Sequence, residues 1–509
     1  MNSKEIKIGA ILSYFSLFLT MIITFIYTPY LLGKLGQAEF GIYSLVNTTI
    51  AYLTILDFGF GNAIIRYTAK FRVDEENNRI ATMLGMFQVL YIIIGIIAFA
   101  ISMILAVNVT AIFGKSLSAS ELHTARILLM LAAVNIGLSF PFSIYTSLIN
   151  AYEKFIFIKL VAVVRSIINP IIMVIVLLMG YRSIGIIASV TVINLLFNLL
   201  YFVYSTKVLK IKTTFKGFDK ALLIEMSTFS FFVFLNIIVD RIYWSTGQII
   251  IGILINAASV SVYSISLQFI NQVYTPISAA ITNLFLPKLT IMDLKKTHPD
   301  TLTDLFIKVG RLQFIIVGLF LSGFLVFGKE FIVLWAGKEY TEAYASALII
   351  MIPLTIPLIQ NLGITILQAK NLHSFRSILY LGISLVNIMI TIPLTMKYGQ
   401  MGSAISIACS LTVGNVIIIN IYYQVKIKIN ILKFWGNIGR FIIPLQFTIV
   451  IGWLIKKVIT PTHLGDIFIG AIIFTIFYAL FIWFMALNSF EKDLVIVPIR
   501  KIQKYWKNM

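Results

Sequence analysis

The sequence predicts an all-α, polytopic membrane protein of about 14 transmembrane helices, built as two pseudo-symmetric six-helix lobes around a central cavity plus a C-terminal helix pair. Three observations carry that prediction. Apolar runs of roughly 20 residues, long enough to cross a ~30 Å hydrocarbon core as helix, recur from end to end. Lysine and arginine crowd the connections on one face and are sparse on the other. A set of small and polar residues recurs at a shift of about 218 residues.

Hydrophobic residues make up 59% of the chain and charged residues only 12%, against roughly a quarter charged in soluble proteins, so the chain needs lipid as its solvent. The mean hydropathy of +0.97 leaves no room for a soluble domain. The first apolar run, 8–32, is too long for a signal-peptide core and no small-residue cleavage pattern follows it. It is therefore expected to be a structural helix behind a short cytoplasmic tail. Hydropathy and punctuation place the first six helices at 6–32, 41–68, 80–107, 122–150, 155–179 and 183–206. Six more follow at 223–253, 260–287, 308–334, 343–369, 374–396 and 400–425, and a final pair at 438–458 and 464–488. An even number puts both termini on the same side.

With the amino terminus in the cytoplasm, 29 Lys and Arg fall on the cytoplasmic face and 8 on the other, while Arg126, Arg165 and Arg241 lie inside helices. Translocation of cationic loops is disfavoured, so this bias supports both the orientation and the helix count. The net charge of +20 is then a topology signal and an attraction to anionic lipid, not a nucleic-acid footprint. The longest connections, 207–220 and 288–308, are both basic, and the first divides helices 1–6 from 7–12. Across the repeat, Ala151, Asn169, Gly185, Ser189 and Asn198 fall on Ala369, Asn387, Gly402, Ser406 and Asn415, and Tyr43-Ser44 on Tyr263-Ser264. The expected domains are 1–212, the N-terminal lobe; 213–430, the C-terminal lobe; and 431–509, helices 13 and 14 with a basic cytoplasmic tail. A shift of six helices keeps the orientation, so the lobes are expected to be parallel repeats that work by alternating access.

Charged side chains inside a bilayer cost ~2.5 to 3.5 kcal/mol on insertion scales, which makes them the best pointers to function. Asp57 lies in helix 2 within Asp57-Phe58-Gly59-Phe60-Gly61-Asn62; Arg66 is too far along to pair with it in one helix and also reads as an interfacial anchor. In helix 7, Asn236, Asp240 and Trp244 share a face, with Arg241 turned about 100° away. Ser245-Thr246-Gly247 is expected to bend that helix and open backbone groups to a cavity. Arg126 and Arg165 offer guanidinium groups suited to phosphate, although Arg126 also suits an interfacial position. Intramembrane asparagines suit sugar hydroxyls or helix–helix contacts. Pro353 and Pro357, followed by Gln360, Asn361 and Gly363, should break or bend helix 10 as a gating element, with a milder counterpart at Pro141. Cys409 is the single cysteine, and the four histidines are scattered away from metal-ligand spacing, so no metal site and no cofactor are expected. No GxxxxGK[ST] phosphate loop occurs, which leaves an ion gradient through Asp57 or Asp240 as the energy source to consider.

At Phe40-Gly41-Ile42-Tyr43-Ser44-Leu45, then Leu56-Asp57-Phe58-Gly59 and Arg66, the chain resembles the polysaccharide transporters, the Wzx-type O-antigen and capsule repeat-unit flippases. Asp240, Ile249-Ile250-Ile251-Gly252 and Val260-Ser261-Val262-Tyr263-Ser264 are similar again, with Ser261 in place of the usual glycine. That family belongs to the multidrug/oligosaccharidyl-lipid/polysaccharide exporter superfamily. The resemblance covers roughly residues 1–430. It implies two six-helix lobes, no catalytic residues, and a cationic lumen for phosphate or acidic sugars, to which Arg126, Arg165 and Arg241 would belong. The implied cargo is an undecaprenyl-diphosphate-linked oligosaccharide, flipped from the cytoplasmic to the outer leaflet of a bacterial inner membrane. Membrane lipids, a polymerase and a chain-length regulator would be the partners. The last helix pair resembles the lipid II flippase subfamily and implies a groove for the polyprenyl tail. The rival readings are an exporter of small cationic drugs, which the intramembrane arginines disfavour, and a polytopic polysaccharide-assembly enzyme, for which no large outer loop or intramembrane histidine is present.

Overall fold

The computed structural model describes residues 3–272, 276, 289, 298–370 and 372–497. Its regular elements, among the described residues, are all helical. In chain order they are α1 (Ser3–Leu35), α2 (Gln37–Val73), α3 (Asn77–Val107), α4 (Ala119–Ala151), α5 (Phe155–Leu178), α6 (Arg182–Val208) and α7 (Lys220–Leu254). Then come α8 (257–272), α9 (Pro299–Trp335), α10 (Lys338–Ile359), α11 (His373–Tyr398), α12 (Gln400–Ile427), α13 (Ile431–Ile459) and α14 (Leu464–Met485). All except α8 are among the 13 helices long and apolar enough to cross a membrane. Most of the expected eighth span beyond 272 lies outside the described residues.

Local chemistry explains where the helices start. Ser118 and Glu121 form a reciprocal capping box at α4, and the Asp219 carboxylate accepts the Leu222 N–H at α7, each satisfying donors that a helix leaves open. The expected 288–308 connection is corrected at its second half: α9 begins at Pro299, where the fixed φ of proline suits a first helical position. Its early polar turns are helical because Leu302, Thr303 and Phe306 are buried in the protein.

Contact density divides the chain into two compact units, Met1–Ser264 with Ser377–Ser403, and Ile265–Arg376 with Ala404–Met509. In the first unit α3 lies along α4, α4 along α6, α1 along α5, and α7 along α2. Lipid is as apolar as leucine, so helices here associate through close packing, and small residues supply it. Gly95 sets the α3–α4 distance: a Cβ there would lie 2.5 Å from the Gly137 carbonyl oxygen. Around it Met83, Phe87, Tyr91, Ile144 and Leu148 form a core. The opposite faces of the helices, such as Phe15, Phe18 and Ile26 on α1, are exposed to the bilayer. In the second unit α9 is the hub, packed by α10, α13 and α14, with Phe327 edge-on to Phe474 at 5.9 Å.

The spacing seen in the sequence recurs in backbone geometry. A left-handed glycine joins α5 to α6 (Gly180, φ 86°) and α11 to α12 (Gly399, φ 60°). Each later helix ends in a π-helical turn opened by tyrosine, Tyr204–Val208 and Tyr423–Ile427. A lysine with positive φ follows in both, Lys210 (53°) and Lys428 (63°).

Candidate functional site

Helix α2 is broken at the expected Asp57 motif. Its first α-helical part stops at Leu53, a 3₁₀ turn runs Thr54–Asp57, and helix resumes at Phe60. Phe58 (φ 52°) and Gly59 (φ 74°) make the left-handed joint, a conformation disfavoured for phenylalanine and open to glycine. The break frees N–H groups at the start of the second segment, next to the Asp57 carboxylate. The Asp57 carboxylate accepts the Tyr91 hydroxyl of α3 at 2.7 Å, and Phe58 packs on Phe234 of α7 with ring centroids 5.0 Å apart. Tyr91→Phe deletes one hydrogen bond to a carboxylate and is expected to cost about 1.5–3 kcal/mol, read as a lowered midpoint of thermal unfolding in detergent. An unchanged midpoint would show that the bond holds nothing.

Arg66 lies apart from Asp57, exposed, with its guanidinium 4.4 Å from the centre of the Phe229 ring on α7. Arg126 sits near the start of α4, donating to Thr110 Oγ1 at 3.3 Å, while its buried Nε has no hydrogen-bond partner among the described residues.

On α7, Asn236 accepts the Ser377 hydroxyl of α11 at 3.2 Å. Asp240 is exposed, and Arg241 and Trp244 are half-buried. The expected bend at Ser245-Thr246-Gly247 is corrected: α7 is continuous through it. The reason is that these polar groups have neighbours. Thr246 shares a hydrogen bond with Tyr52 of α2, Gln248 binds Thr48 and Ser264, and Gly247 makes room for the Tyr263 ring.

The densest polar cluster in the first unit surrounds Arg165. Its Nη2 donates to Asn194 of α6; Asn194 Nδ2 donates to Asn135 Oδ1 of α4 at 3.3 Å. Ser139 donates to the same Asn135 oxygen and accepts from Asn198, both at 3.3 Å. Phe197 lies 5.9 Å from the guanidinium carbon. One turn on from Arg165, the buried Oδ1 of Asn169 has no hydrogen-bond partner among the described residues. Three helices thus hold one half-buried arginine whose Nε and Nη1 have no hydrogen-bond partner among the described residues. Such a group can bind an oxyanion while amides around it meet hydroxyls.

In the second unit α10 stays helical through Pro353 and Pro357 and breaks after Ile359, at Gln360; a short helix, Asn361–Ala369, follows. Gln360 Nε2 donates to Asn420 Oδ1 at 2.8 Å, and Asn420 Nδ2 donates to the Asn415 carbonyl at 3.0 Å. Asn361 is buried. Pro141, by contrast, is accommodated inside an unbroken α4, where Gln88 Nε2 donates to its carbonyl at 3.0 Å.

Sequence reasoning missed Tyr91 and the buried Arg311–Glu491 pair. Tyr91 carried a signal, a hydroxyl in the apolar run of α3. Arg311 was counted as a loop cation and Glu491 belonged to the tail; nothing in their sequence separation joins them. Among the described residues no group of three or more His, Cys, Asp or Glu is placed to hold a metal ion.

The architecture is shared with solved transporters. The lipid II flippase MurJ, in an inward closed conformation, matches with a TM-score of 0.70 and 16% identity over 93% of this chain and 98% of that one. A eukaryotic MATE transporter matches at 0.58 and 14% identity over 82% and 95% of the two chains. A MOP superfamily transporter from Pyrococcus furiosus matches at 0.54 and 15% over 80% and 93%. At these identities the likeness is one of fold. No curated protein matches the chain. The sequence itself is more specific: the profile described as polysaccharide biosynthesis protein matches residues 7–290, more than half the chain, and the chain belongs to that family.

Proposed function

We propose that this chain is a flippase that carries undecaprenyl-diphosphate-linked oligosaccharide repeat units from the cytoplasmic to the outer leaflet of a bacterial inner membrane, by alternating access and without covalent chemistry. The Arg165 cluster carries this reading. A fixed guanidinium with two open donors suits a diphosphate, and the asparagine amides around it suit sugar hydroxyls. An arginine inside a span is costly, and such residues mark substrate pathways more often than packing. The one-sided Lys and Arg distribution supports cytoplasmic termini. Asp57, Arg66, Arg126, Asn236, Asp240, Arg241 and Trp244 are further pathway candidates, and the Gln360 break beside Pro357 and Asn361 is a candidate gate.

The test places a fluorescent polyprenyl-diphosphate oligosaccharide in one leaflet of proteoliposomes and follows its arrival in the other. Wild type should transfer it. Arg165→Ala should slow transfer by a factor of about 10 or more, the size of one lost charge-assisted hydrogen bond, with the unfolding midpoint kept, and Arg165→Lys should recover part of the rate. Wild-type protein that transfers no lipid-linked sugar but moves cationic drugs would replace this reading with that of a multidrug exporter.

A further inference from the structure

The basic connection between α6 and α7, 209–219, takes no part in the site described above, yet it is seated on the protein at several points. The Leu209 and Ile211 N–H groups donate to the carbonyls of Tyr204 and Ser205 at 3.0 and 3.2 Å, and Ile211 packs on the core of the first unit. Further on, the Thr214 N–H donates to the Ala81 carbonyl of α3 at 3.0 Å. Gly85 lets the connection lie directly on that helix: a Cβ there would overlap the Thr214 carbonyl oxygen and stand 3.2 Å from the Phe215 nitrogen. The chain then turns at Gly217 (φ 87°) beside the Thr82 methyl group, and Asp219 closes the connection as the cap of α7.

These contacts fix both the depth of the connection and the side on which it lies. The polar start of α3 ends at Arg79 and its apolar run follows; six residues of helix put Gly85 about 9 Å further in. A head-group layer is roughly 5–8 Å thick, so this level is the boundary between head groups and acyl chains. Val89, Ile92 and Ile96 share the face of Gly85 and are exposed. An exposed apolar stripe on a bilayer-crossing helix is its lipid face, and the connection lies across the end of that stripe. There it presents Phe215 and Phe218, 69% and 68% exposed. Lys207, Lys210, Lys212, Lys216 and Lys220 are exposed around them, and none of the five is in an ion pair with a described residue. The acids nearby are engaged: Asp219, the single acid in 207–220, accepts the Leu222 N–H at 2.9 Å, and Glu76 pairs with Arg79 at 2.9 Å.

We propose that the α6–α7 connection is a docking element for anionic lipid, with Phe215 and Phe218 in the boundary between head groups and acyl chains and the lysines around them on the lipid phosphates. The depth follows from Ala81 and Gly85, which hold Thr214 and Phe215 level with the first apolar turns of α3. Apolar side chains beside cations are the pattern that lies in that interface. The occupant is anionic because five lysines stand against one acid that is already engaged, and a basic cluster next to a membrane span binds anionic head groups. The seat on α3 sets the orientation of the connection before lipid arrives, so little order has to be gained on docking.

The full-length chain with Cys409→Ser, which removes the single native thiol, takes an environment-sensitive fluorophore through Phe218→Cys or, as the comparison, through Asp74→Cys in the polar turn between α2 and α3. Both positions are exposed, so folding is not at stake. Nanodiscs of phosphatidylcholine with phosphatidylglycerol leave both faces open to aqueous quenchers. The label at 218 should be shielded from iodide and quenched by lipid that carries a nitroxide near the top of its acyl chain, the label at 74 the reverse. A nitroxide on phosphatidylglycerol should be preferred at 218 over the same nitroxide on phosphatidylcholine by about fivefold or more, and Lys212→Gln with Lys216→Gln should lower that preference by a factor of about two or more. Equal iodide access at 218 and 74 would show that the connection faces water, open to a soluble partner instead of lipid, and overturn the proposal. Shielding at 218 without nitroxide quenching would put the connection against protein and overturn it as well. Equal quenching by the two labelled lipids would overturn the anionic assignment.

Discussion

Arg311→Ala should destabilise the second unit by about 3–5 kcal/mol, the cost of leaving one member of a buried ion pair without its partner. Both side chains are almost sealed from solvent, at 1% and 2% exposure, so Glu491 would be stranded in a medium that solvates charge poorly. Two carbonyls would lose their donors as well, Ala486 at the end of α14 and Asn437 near the end of the first turns of α13. The damage should spread, because the neighbouring Gly310 lies against the break in α10: a Cβ on it would be 2.8 Å from the Ile359 carbonyl oxygen. Thermal unfolding in detergent measures the effect. A double variant, Arg311→Met with Glu491→Leu, removes both charges and should be more stable than Arg311→Ala alone. A loss below about 1 kcal/mol for the single variant would mean that water reaches the pair.

The second large effect is expected from one methyl group. Gly41 on α2 faces the start of α8 so closely that a Cβ would sit 1.8 Å from the Ala257 carbonyl oxygen and 2.6 Å from its carbon. Backbone cannot rotate aside as a side chain can, so Gly41→Ala must push α2 and the first turn of α8 apart. Overpacking of this kind costs about 3 kcal/mol. Gly33→Ala is the matched control, since nothing lies within 4 Å of its added methyl, and removing a helical glycine should stabilise by about 0.5–1 kcal/mol. Equal midpoints for the two variants would show that α2 and α8 have room between them.

Much of the helix plan was legible in the sequence. Apart from α9 and α13, which start earlier, and the eighth span, most of which lies outside the described residues, the spans match the apolar runs to within a few residues, because crossing a bilayer demands a run of fixed length whatever the neighbours are. A shift of about 218 residues was legible in Gly185 and Gly402 and in Asn198 and Asn415, and at about that spacing the left-handed turns at Gly180 and Gly399 and the π-helical turns at Tyr204 and Tyr423 recur. The break foreseen within Pro353-to-Gly363 falls at Gln360, whose side-chain amide donates to Asn420 of α12. A release of backbone groups at Ser245-Thr246-Gly247 was foreseen, but α7 stays α-helical through these residues. Composition there allows either outcome, and hydrogen bonds of Thr246 with Tyr52 and of the adjacent Gln248 with Thr48 and Ser264 hold the segment in place. For the candidate site, the sequence marked Arg165 and the asparagines separately; their assembly into one cluster needed α4, α5 and α6 side by side.

The sequence alone determined that this protein lives in lipid, roughly where its bilayer-crossing runs lie, and which residues would be expensive to bury. Those properties depend on each side chain's own transfer free energy and on its near neighbours along the chain. Only the tertiary structure decided that Asp57 meets Tyr91, that Arg165 is held by Asn194, and that Arg311 is neutralised by Glu491. A buried polar group must find a partner wherever the fold brings one, and sequence distance places no bound on where that partner lies.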